Sequence, residues 1–214
     1  MIHSFHRLSV QPIRSFGGIP VCNGFRLHTT TRSQDEVFMK LALRHAQAAI
    51  REKEIPIGAV LVDETNTVIA TAGNRVENAL DASAHAEVEC LRKAAKLIGN
   101  WRLSNCTLYT TVEPCAMCLS AIQAFRLKRV VYGAQDVRMG ACGSWIDLLK
   151  HPHPFHKVEV EGGVLATDSA ILLKRFFQNI RLENDGDEFM TRGYCHVSNQ
   201  GIKSKPYQPT DENS

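Results

Sequence analysis

His85-Ala86-Glu87 and Pro114-Cys115-Ala116-Met117-Cys118 are the two stretches from which the architecture of this chain can be worked out. Each lies where the sequence predicts the start of a helix. Residues 84–98 show apolar side chains at helical spacing. Pro114 is predicted to open a second helix that runs to about Phe125, because proline is favoured at the first helical position. The two stretches therefore place a histidine and two cysteines at helix N-termini.

These residue types form a donor set for a metal. Cys115 and Cys118 are three positions apart on one helix, so their thiols point the same way. A helix N-terminus also favours the thiolate, which is the form that binds metal. Together with His85 they suit Zn²⁺ and leave a fourth tetrahedral position open for water. Glu87 is not needed as a ligand and can move protons as a general acid and base.

The same residues allow three other interpretations. A structural zinc needs a fourth ligand, such as Cys90, Cys106 or Cys142, and gives Glu87 no role. A redox Cys-x-x-Cys does not require a His-x-Glu elsewhere in the chain. Two unrelated buried cysteines beside a stray histidine are the third possibility. The order His-x-Glu and then Pro-Cys-x-x-Cys is the signature of zinc nucleobase deaminases, with the glutamate as the proton carrier, and we favour that interpretation.

The rest of the chain alternates between strand and helix patterns. A capping box at Ser33 to Glu36 predicts the start of a helix and of the folded domain, and Pro56 ends that helical pattern. Strands are predicted at residues 57–62, 67–72, 107–112 and 129–132, near Val158 and Val160, and near Val164, followed by a helix at about 168–181. This alternation predicts an α/β fold with helices packed on a sheet.

Composition limits the domain count, the compartment and the partners. The length fits one domain plus extensions, and no apolar run reaches the roughly 18–20 residues of a membrane span. Seven cysteines with irregular spacing argue against a disulfide framework and for a reducing compartment. A net charge of +3 does not by itself indicate nucleic-acid binding, so any such binding would rest on a local basic patch.

The two ends of the chain differ in composition from the middle. The first 34 residues hold four arginines and no acid, and residues 1–32 are interpreted as an organellar transit segment, with a disordered arm as the alternative. Residues 33–182 are assigned to the zinc domain. Residues 183–214 are predicted to be a flexible tail with more acidic than basic side chains.

From about residue 35 to 181 the chain resembles the tRNA-specific adenosine deaminases of bacteria and plastids, within the cytidine deaminase-like superfamily. The resemblance is carried by the zinc stretches and by segments around them: residues 55–60, 73–75, 83–87, 112–118, 133–136, 140–144, 151–156, 163–165 and 176–177. The zinc stretches alone would also admit cytidine, cytosine, deoxycytidylate or guanine deaminases, and the region after Gly133 favours the tRNA family.

The resemblance implies a three-layer fold with a central mixed sheet of about five strands flanked by helices. It also implies one Zn²⁺ per subunit, a homodimer, and conversion of adenosine to inosine at the wobble position of a tRNA anticodon, typically in an arginine tRNA. Carried over by motif, His85, Cys115 and Cys118 would hold the metal and Glu87 would be catalytic. The substrate contacts would be Asn74, the backbone N–H of Ala86, Asp136, Phe176 and Phe177.

Purely structural roles stay open as alternatives for several of these contacts. Asn74 could be a turn residue, Asp136 could cap its own loop, and the phenylalanine pair could be core. The alternative activity is deamination of a free base or nucleotide, such as guanine or cytosine. A non-catalytic, tRNA-binding subunit is a further alternative, which the presence of Glu87 disfavours. The bacterial-like body and the basic N-terminus favour the plastid over the mitochondrion as the compartment.

Overall fold

The computed structural model describes residues 32–151 and 153–186. Within this part, five strands alternate with helices. The strands are β1 Gly58–Val62, β2 Val68–Gly73, β3 Thr107–Val112, β4 Arg129–Ala134 and β5 Glu159–Gly162. The helices are α1 Arg32–Arg51, α2 Val76–Ala79, α3 Ala86–Ile98, α4 Ala116–Ala124 and α5 Ala166–Gly186, with a 3₁₀ turn at Leu148–Lys150. The predicted α/β class and the mixed sheet of about five strands are confirmed.

The strands form one sheet in the order β2-β1-β3-β4-β5. β1 is antiparallel to both β2 and β3, whereas β3, β4 and β5 are parallel. β2, β3 and β4 therefore run in the same direction, and their carboxyl ends meet at one edge of the sheet. The residues that follow these strands are Asn74, Glu113 and Gln135. Asn74 is a candidate site residue, and two others, Cys115 and Asp136, come shortly afterwards in the chain, so candidate site residues lie along this edge.

Alternation along the strands sends side chains to two cores on opposite faces of the sheet. Ala59 and Leu61 of β1 pack with α3 and α4, including Leu91 and Ile122. The intervening side chains of β1 pack with α1 on the other face. α5 contacts β4 and α1 and completes that second layer. The result is the expected three layers of helices, sheet and helices.

Gly58 explains how closely α1 approaches the sheet. A Cβ atom at this position would lie 2.1 Å from the carbonyl oxygen of Ala42 and 2.5 Å from the backbone nitrogen of Ala46. Any side chain would therefore push the helix away from β1. The glycine in this strand therefore marks the close approach of a helix backbone.

A buried ionic network joins α1 to the sheet. Asp35 is 1% exposed, and its carboxylate accepts hydrogen bonds from the Tyr109 hydroxyl at 2.8 Å and from both terminal nitrogens of Arg129 at 2.9 Å. Arg129 also pairs with Glu161 on β5. The contact between Asp35 and Arg129 is bidentate, and this geometry makes the ion pair directional as well as attractive. It connects α1 to β3, β4 and β5.

Several local predictions were wrong. The strand predicted near Val164 is absent, because Gly163 and Leu165 adopt φ angles of 91° and 51° and turn the chain into α5; Val164 instead packs into the core beside α1. Pro114 does not open α4, because its carbonyl oxygen accepts the Ala141 N–H at 2.9 Å and the helix begins at Ala116. α1 begins at Arg32, so Ser33 lies inside its first turn.

The proposed transit segment, residues 1–32, lies almost entirely outside the described residues, as does most of the proposed tail at 183–214. α5 continues to Gly186, which is beyond the predicted helix end. None of the helices in the described ranges is long and apolar enough to cross a membrane.

We expect Asp35→Ala to lower the free energy of unfolding by about 3 kcal/mol, because it leaves a buried guanidinium and the Tyr109 hydroxyl without their shared acceptor. Urea denaturation measures this loss. Lys150→Ala is the matched control, since it breaks an exposed pair with Asp147 and should cost less than about 1 kcal/mol. Equal losses in the two variants would contradict a structural role for the network.

Candidate metal centre and active site

His85 and Cys115 occupy equivalent positions on two neighbouring helices. His85 is the residue before α3, with φ −67° and ψ 149°, and Cys115 is the residue before α4, with φ −70° and ψ 172°. Both therefore leave an extended backbone and enter a helix. Cys118 follows in the first turn of α4. Because α3 and α4 pack on the same face of the sheet, their N-termini bring the three side chains together.

The distances among the donor atoms match a tetrahedral metal site. The Nδ1 atom of His85 lies 3.4 Å from the Cys118 sulfur and 3.7 Å from the Cys115 sulfur. One atom from each residue falls within 4.8 Å of the others. A tetrahedral zinc with bonds of about 2.3 Å to sulfur and 2.0 Å to nitrogen separates those donors by roughly 3.5 Å. The donor set and its spacing therefore fit Zn²⁺.

The remaining described cysteines do not complete this group. Within the described residues, the cluster consists of His85, Cys115 and Cys118. The Cys90 thiol donates to the carbonyl oxygen of Ala70, and burial raises its pKa to about 12. Burial likewise raises the pKa of Cys142 to about 12. Three protein ligands are typical of a catalytic zinc, whereas structural sites usually have four.

A hydrogen bond links the two thiols of the cluster. A hydrogen bond from Cys118, opposed in part by burial, lowers the pKa of the Cys115 thiol to about 4. The same hydrogen bond, together with burial, raises the pKa of Cys118. The bond with Cys115 also raises the pKa of the His85 imidazole, against the effect of burial. Metal ligation requires both thiolates and a neutral imidazole, so a bound cation displaces these protons.

Glu87 is buried beside the cluster. It lies in the first turn of α3 and its residue exposure is 3%. Burial raises the pKa of its carboxyl, while the nearby His85 charge acts in the opposite direction. A carboxyl that retains its proton more readily than usual is suited to proton transfer near neutral pH.

Asn74 is held in place by a residue that the sequence analysis missed. Its amide nitrogen donates to Glu54 at 2.9 Å, and the other carboxylate oxygen of Glu54 accepts the backbone N–H of Asn78 at 2.8 Å. Asn74 is 3% exposed and Glu54 is fully buried. Asn74 is thus more than a turn residue. The position of Glu54 directly before the apolar run 55–62 was its signal in the sequence.

Ala86 and Asp136 lie in the loops and helix starts along the same edge. Ala86 is the first residue of α3, and no side chain caps that helix at His85. A backbone N–H at this position is among those that helix geometry leaves for a ligand. Asp136 accepts the N–H groups of Arg138 at 2.9 Å and Met139 at 3.3 Å, so it does cap its own loop.

The two phenylalanines of α5 differ in accessibility. Phe176 is 8% exposed and Phe177 is half-buried, and their rings meet edge to face with centroids 5.4 Å apart. The guanidinium of Arg138 lies over the Phe177 ring, 6.0 Å from its centroid. Phe176 therefore serves packing, while Phe177 faces the loop that carries Asp136.

Comparison with known proteins agrees with this geometry. Residues 32–134 match the family model described as the cytidine and deoxycytidylate deaminase zinc-binding region. The matched range contains His85, Glu87, Cys115 and Cys118.

Individual relatives cover more of the chain. A tRNA-specific adenosine deaminase of Agrobacterium fabrum is 42% identical over 147 residues, which are 69% of this chain and 96% of the relative. A chloroplastic tRNA(adenine(34)) deaminase of Arabidopsis thaliana is 40% identical over 170 residues, covering 72% of this chain but only 13% of that much longer protein.

A solved structure supports the same relationship. It comes from a study of A-to-I editing by tRNA:A34 deaminases at the wobble position of transfer RNA, and it is 42% identical with a TM-score of 0.62. The alignment covers 64% of this chain and 99% of that one. The resemblance seen in the sequence is confirmed: the chain belongs to the tRNA-specific adenosine deaminase family.

Proposed function

We propose that this chain deaminates adenosine to inosine at the wobble position of a tRNA anticodon, in an arginine tRNA, by zinc-dependent hydrolysis. The observation that carries the proposal is the convergence of His85 Nδ1 with two cysteine sulfurs next to the buried Glu87. The Agrobacterium and Arabidopsis relatives, both tRNA deaminases, support the choice of substrate.

His85, Cys115 and Cys118 would hold one zinc ion per subunit. Bound zinc supplies Lewis acidity, which lowers the pKa of water to near neutrality. The chain contributes three ligands at helix N-termini that are fixed by packing on one face of the sheet. A zinc ion with three protein ligands would keep a fourth position available for water.

Glu87 would move the protons of the reaction. Its carboxylate takes a proton from the attacking water as the oxygen forms a bond with C6 of adenine, and passes that proton to N1. It then carries the second proton to the exocyclic nitrogen, the C6–N bond breaks, and ammonia leaves. Burial favours this role, because it raises the pKa of the carboxyl and excludes bulk water that would compete for the proton.

The residues around the cluster would position the base. Asn74, oriented by Glu54, offers its amide to the hydrogen-bonding edge of adenine, and the Ala86 N–H adds a backbone donor. Asp136 would contact the target nucleotide with the carboxylate capacity that its loop leaves unused, since a carboxylate can accept about four hydrogen bonds. Phe177, supported by Phe176, would contact the anticodon loop. A base in this position must be unstacked and extruded from the RNA.

We expect the full chain to convert the wobble adenosine of an anticodon stem–loop from an arginine tRNA to inosine. Glu87→Gln should lower the rate by about 10³-fold, because proton transfer is lost while the ligands remain. Sequencing of the RNA reads inosine as guanosine. Glu89→Gln, on the same helix and pointing to a surface pair with Arg92, is the matched control and should stay within twofold.

Two outcomes would overturn parts of this proposal. Full activity of Glu87→Gln would remove Glu87 from the reaction. No inosine from the unmodified chain, together with release of ammonia from free guanine or cytosine, would replace the tRNA substrate by a free base.

Zinc binding has its own expected outcome. Elemental analysis should find one zinc per chain in the purified protein and at most about a tenth of that in Cys118→Ala, since a site with two protein ligands holds zinc weakly. Cys106→Ala is the control: it removes a buried thiol outside the cluster, so zinc should remain. Retention of zinc by Cys118→Ala would place the metal elsewhere.

We propose a plastid location and a transit role for residues 1–32. The composition of this segment and the chloroplastic Arabidopsis relative support it. A fluorescent protein fused after residue 32 should be imported into plastids, and replacing the four arginines by glutamine should abolish import. Import into mitochondria instead would contradict the plastid location and assign the protein to the mitochondrion.

We also propose a homodimer, which the resemblance in the sequence implies, as the assembly that binds tRNA. Sedimentation equilibrium would give twice the 23.8 kDa of the chain, and a single-chain mass at micromolar concentration would contradict it.

A further inference from the structure

A second carboxylate is buried beside the metal cluster and has no part in the reaction described above. Glu113 follows β3 and precedes Pro114, and it is 2% exposed. Burying a carboxylate is costly unless its oxygens are well hydrogen-bonded. The donors that satisfy Glu113 therefore indicate what it is for.

Its donors are main-chain N–H groups of one segment, residues 135–147, which connects β4 to the 3₁₀ turn. One carboxylate oxygen accepts from Cys142 at 2.8 Å and Ser144 at 3.2 Å. The other accepts from Asp136 at 3.2 Å. Glu113 thus joins two distant points of this segment through a single side chain.

Gly140 allows the segment to wrap around the carboxylate. A Cβ atom at this position would lie 2.5 Å from the Glu113 carboxyl carbon and 2.5 Å from the carbonyl oxygen of Asp136. The segment therefore passes in direct contact with the carboxylate, and only glycine leaves the necessary space.

The same segment is attached to the turn that supplies a metal ligand. Gly140 forms an antiparallel bridge with Cys115, and the Ala141 N–H donates to the Pro114 carbonyl oxygen at 2.9 Å. Glu113 is two residues before Cys115, so one short stretch of chain both binds the metal and holds residues 135–147.

The segment carries the side chains that face away from this anchor. Asp136 is at its start, and Arg138 reaches the Phe177 ring. Val137 and Trp145 are exposed by 74% and 60%. Hydrogen bonds to Glu113 and to the Cys115 turn hold the main chain of the segment, while these side chains face solvent. This is the arrangement of a preorganised binding surface.

We propose that Glu113 is a positioning residue for RNA: its carboxylate holds residues 135–147 against the Cys115 turn and so fixes the surface that contacts the substrate. This inference rests on the proposed function for the identity of the ligand. The hydrogen bonds themselves are independent of it. Glu113 touches neither the cluster nor the reacting atoms in this account, so it acts on substrate affinity more than on the chemical step.

Glu113→Gln tests the proposal, because it keeps the shape and places an N–H₂ group against main-chain donors. In the protein without RNA, we expect hydrogen exchange at the amides of Cys142 and Ser144 to become at least tenfold faster, with zinc content unchanged. With the wobble-adenosine stem–loop, KM should rise at least tenfold while kcat stays within about threefold. Glu89→Gln should leave the exchange rates, the zinc content, KM and kcat unchanged.

Gly140→Ala provides a second test if Glu113→Gln fails to fold. It keeps the carboxylate but crowds it, so exchange and KM should change in the same direction. Unchanged exchange at both amides, or a loss of kcat with zinc while KM stays constant, would overturn the positioning role. If the unmodified chain makes no inosine, the proposed function fails, and the exchange measurement alone decides whether Glu113 holds the segment.

Discussion

The convergence of two helix N-termini on one face of the sheet is the constraint on which the site depends. α3 and α4 both begin at the edge where the parallel strands end, and each begins with a metal-ligand candidate in extended conformation. A shift of either helix by one turn would move its donor by about 5.4 Å and separate atoms that now lie 3.4 Å apart. The distance between His85 and the two sulfurs therefore depends on the order and register of the strands and on how the helices pack against them.

Three buried carboxylates fix the backbone at different points of the fold. Asp35 ties α1 to the central strands, Glu54 orients Asn74 and the start of α2, and Glu113 holds residues 135–147. All three are nearly or fully buried, and each accepts at least three hydrogen bonds. Polar groups in such surroundings are costly when unpaired, so each one selects a single arrangement of the backbone around it. Around Glu54 and Glu113, that arrangement shapes the space beside the metal cluster.

Glu87 differs from those three. Burial raises the pKa of its carboxyl, and its neighbours are the cluster residues themselves. Glu54 and Glu113 instead accept hydrogen bonds from backbone and amide N–H groups. In the roles proposed above, the same chemical group carries protons at one position and holds the backbone at two others, and its surroundings differ accordingly.

The sequence by itself determined the metal-ligand candidates, the candidate proton carrier and the α/β class, because these depend on local spacing: two thiols one helical turn apart, a glutamate two residues from a histidine, and strand patterns alternating with helical ones. It did not determine the turn at Val164 or the first residue of α4, since positive φ angles and a hydrogen bond from Ala141 to Pro114 set those boundaries. Only the tertiary structure showed that Glu54 holds Asn74 and that Glu113 holds residues 135–147, because their hydrogen-bond partners lie 20 to 31 residues away along the chain. Hydrogen bonds of that range leave no periodic trace in a sequence.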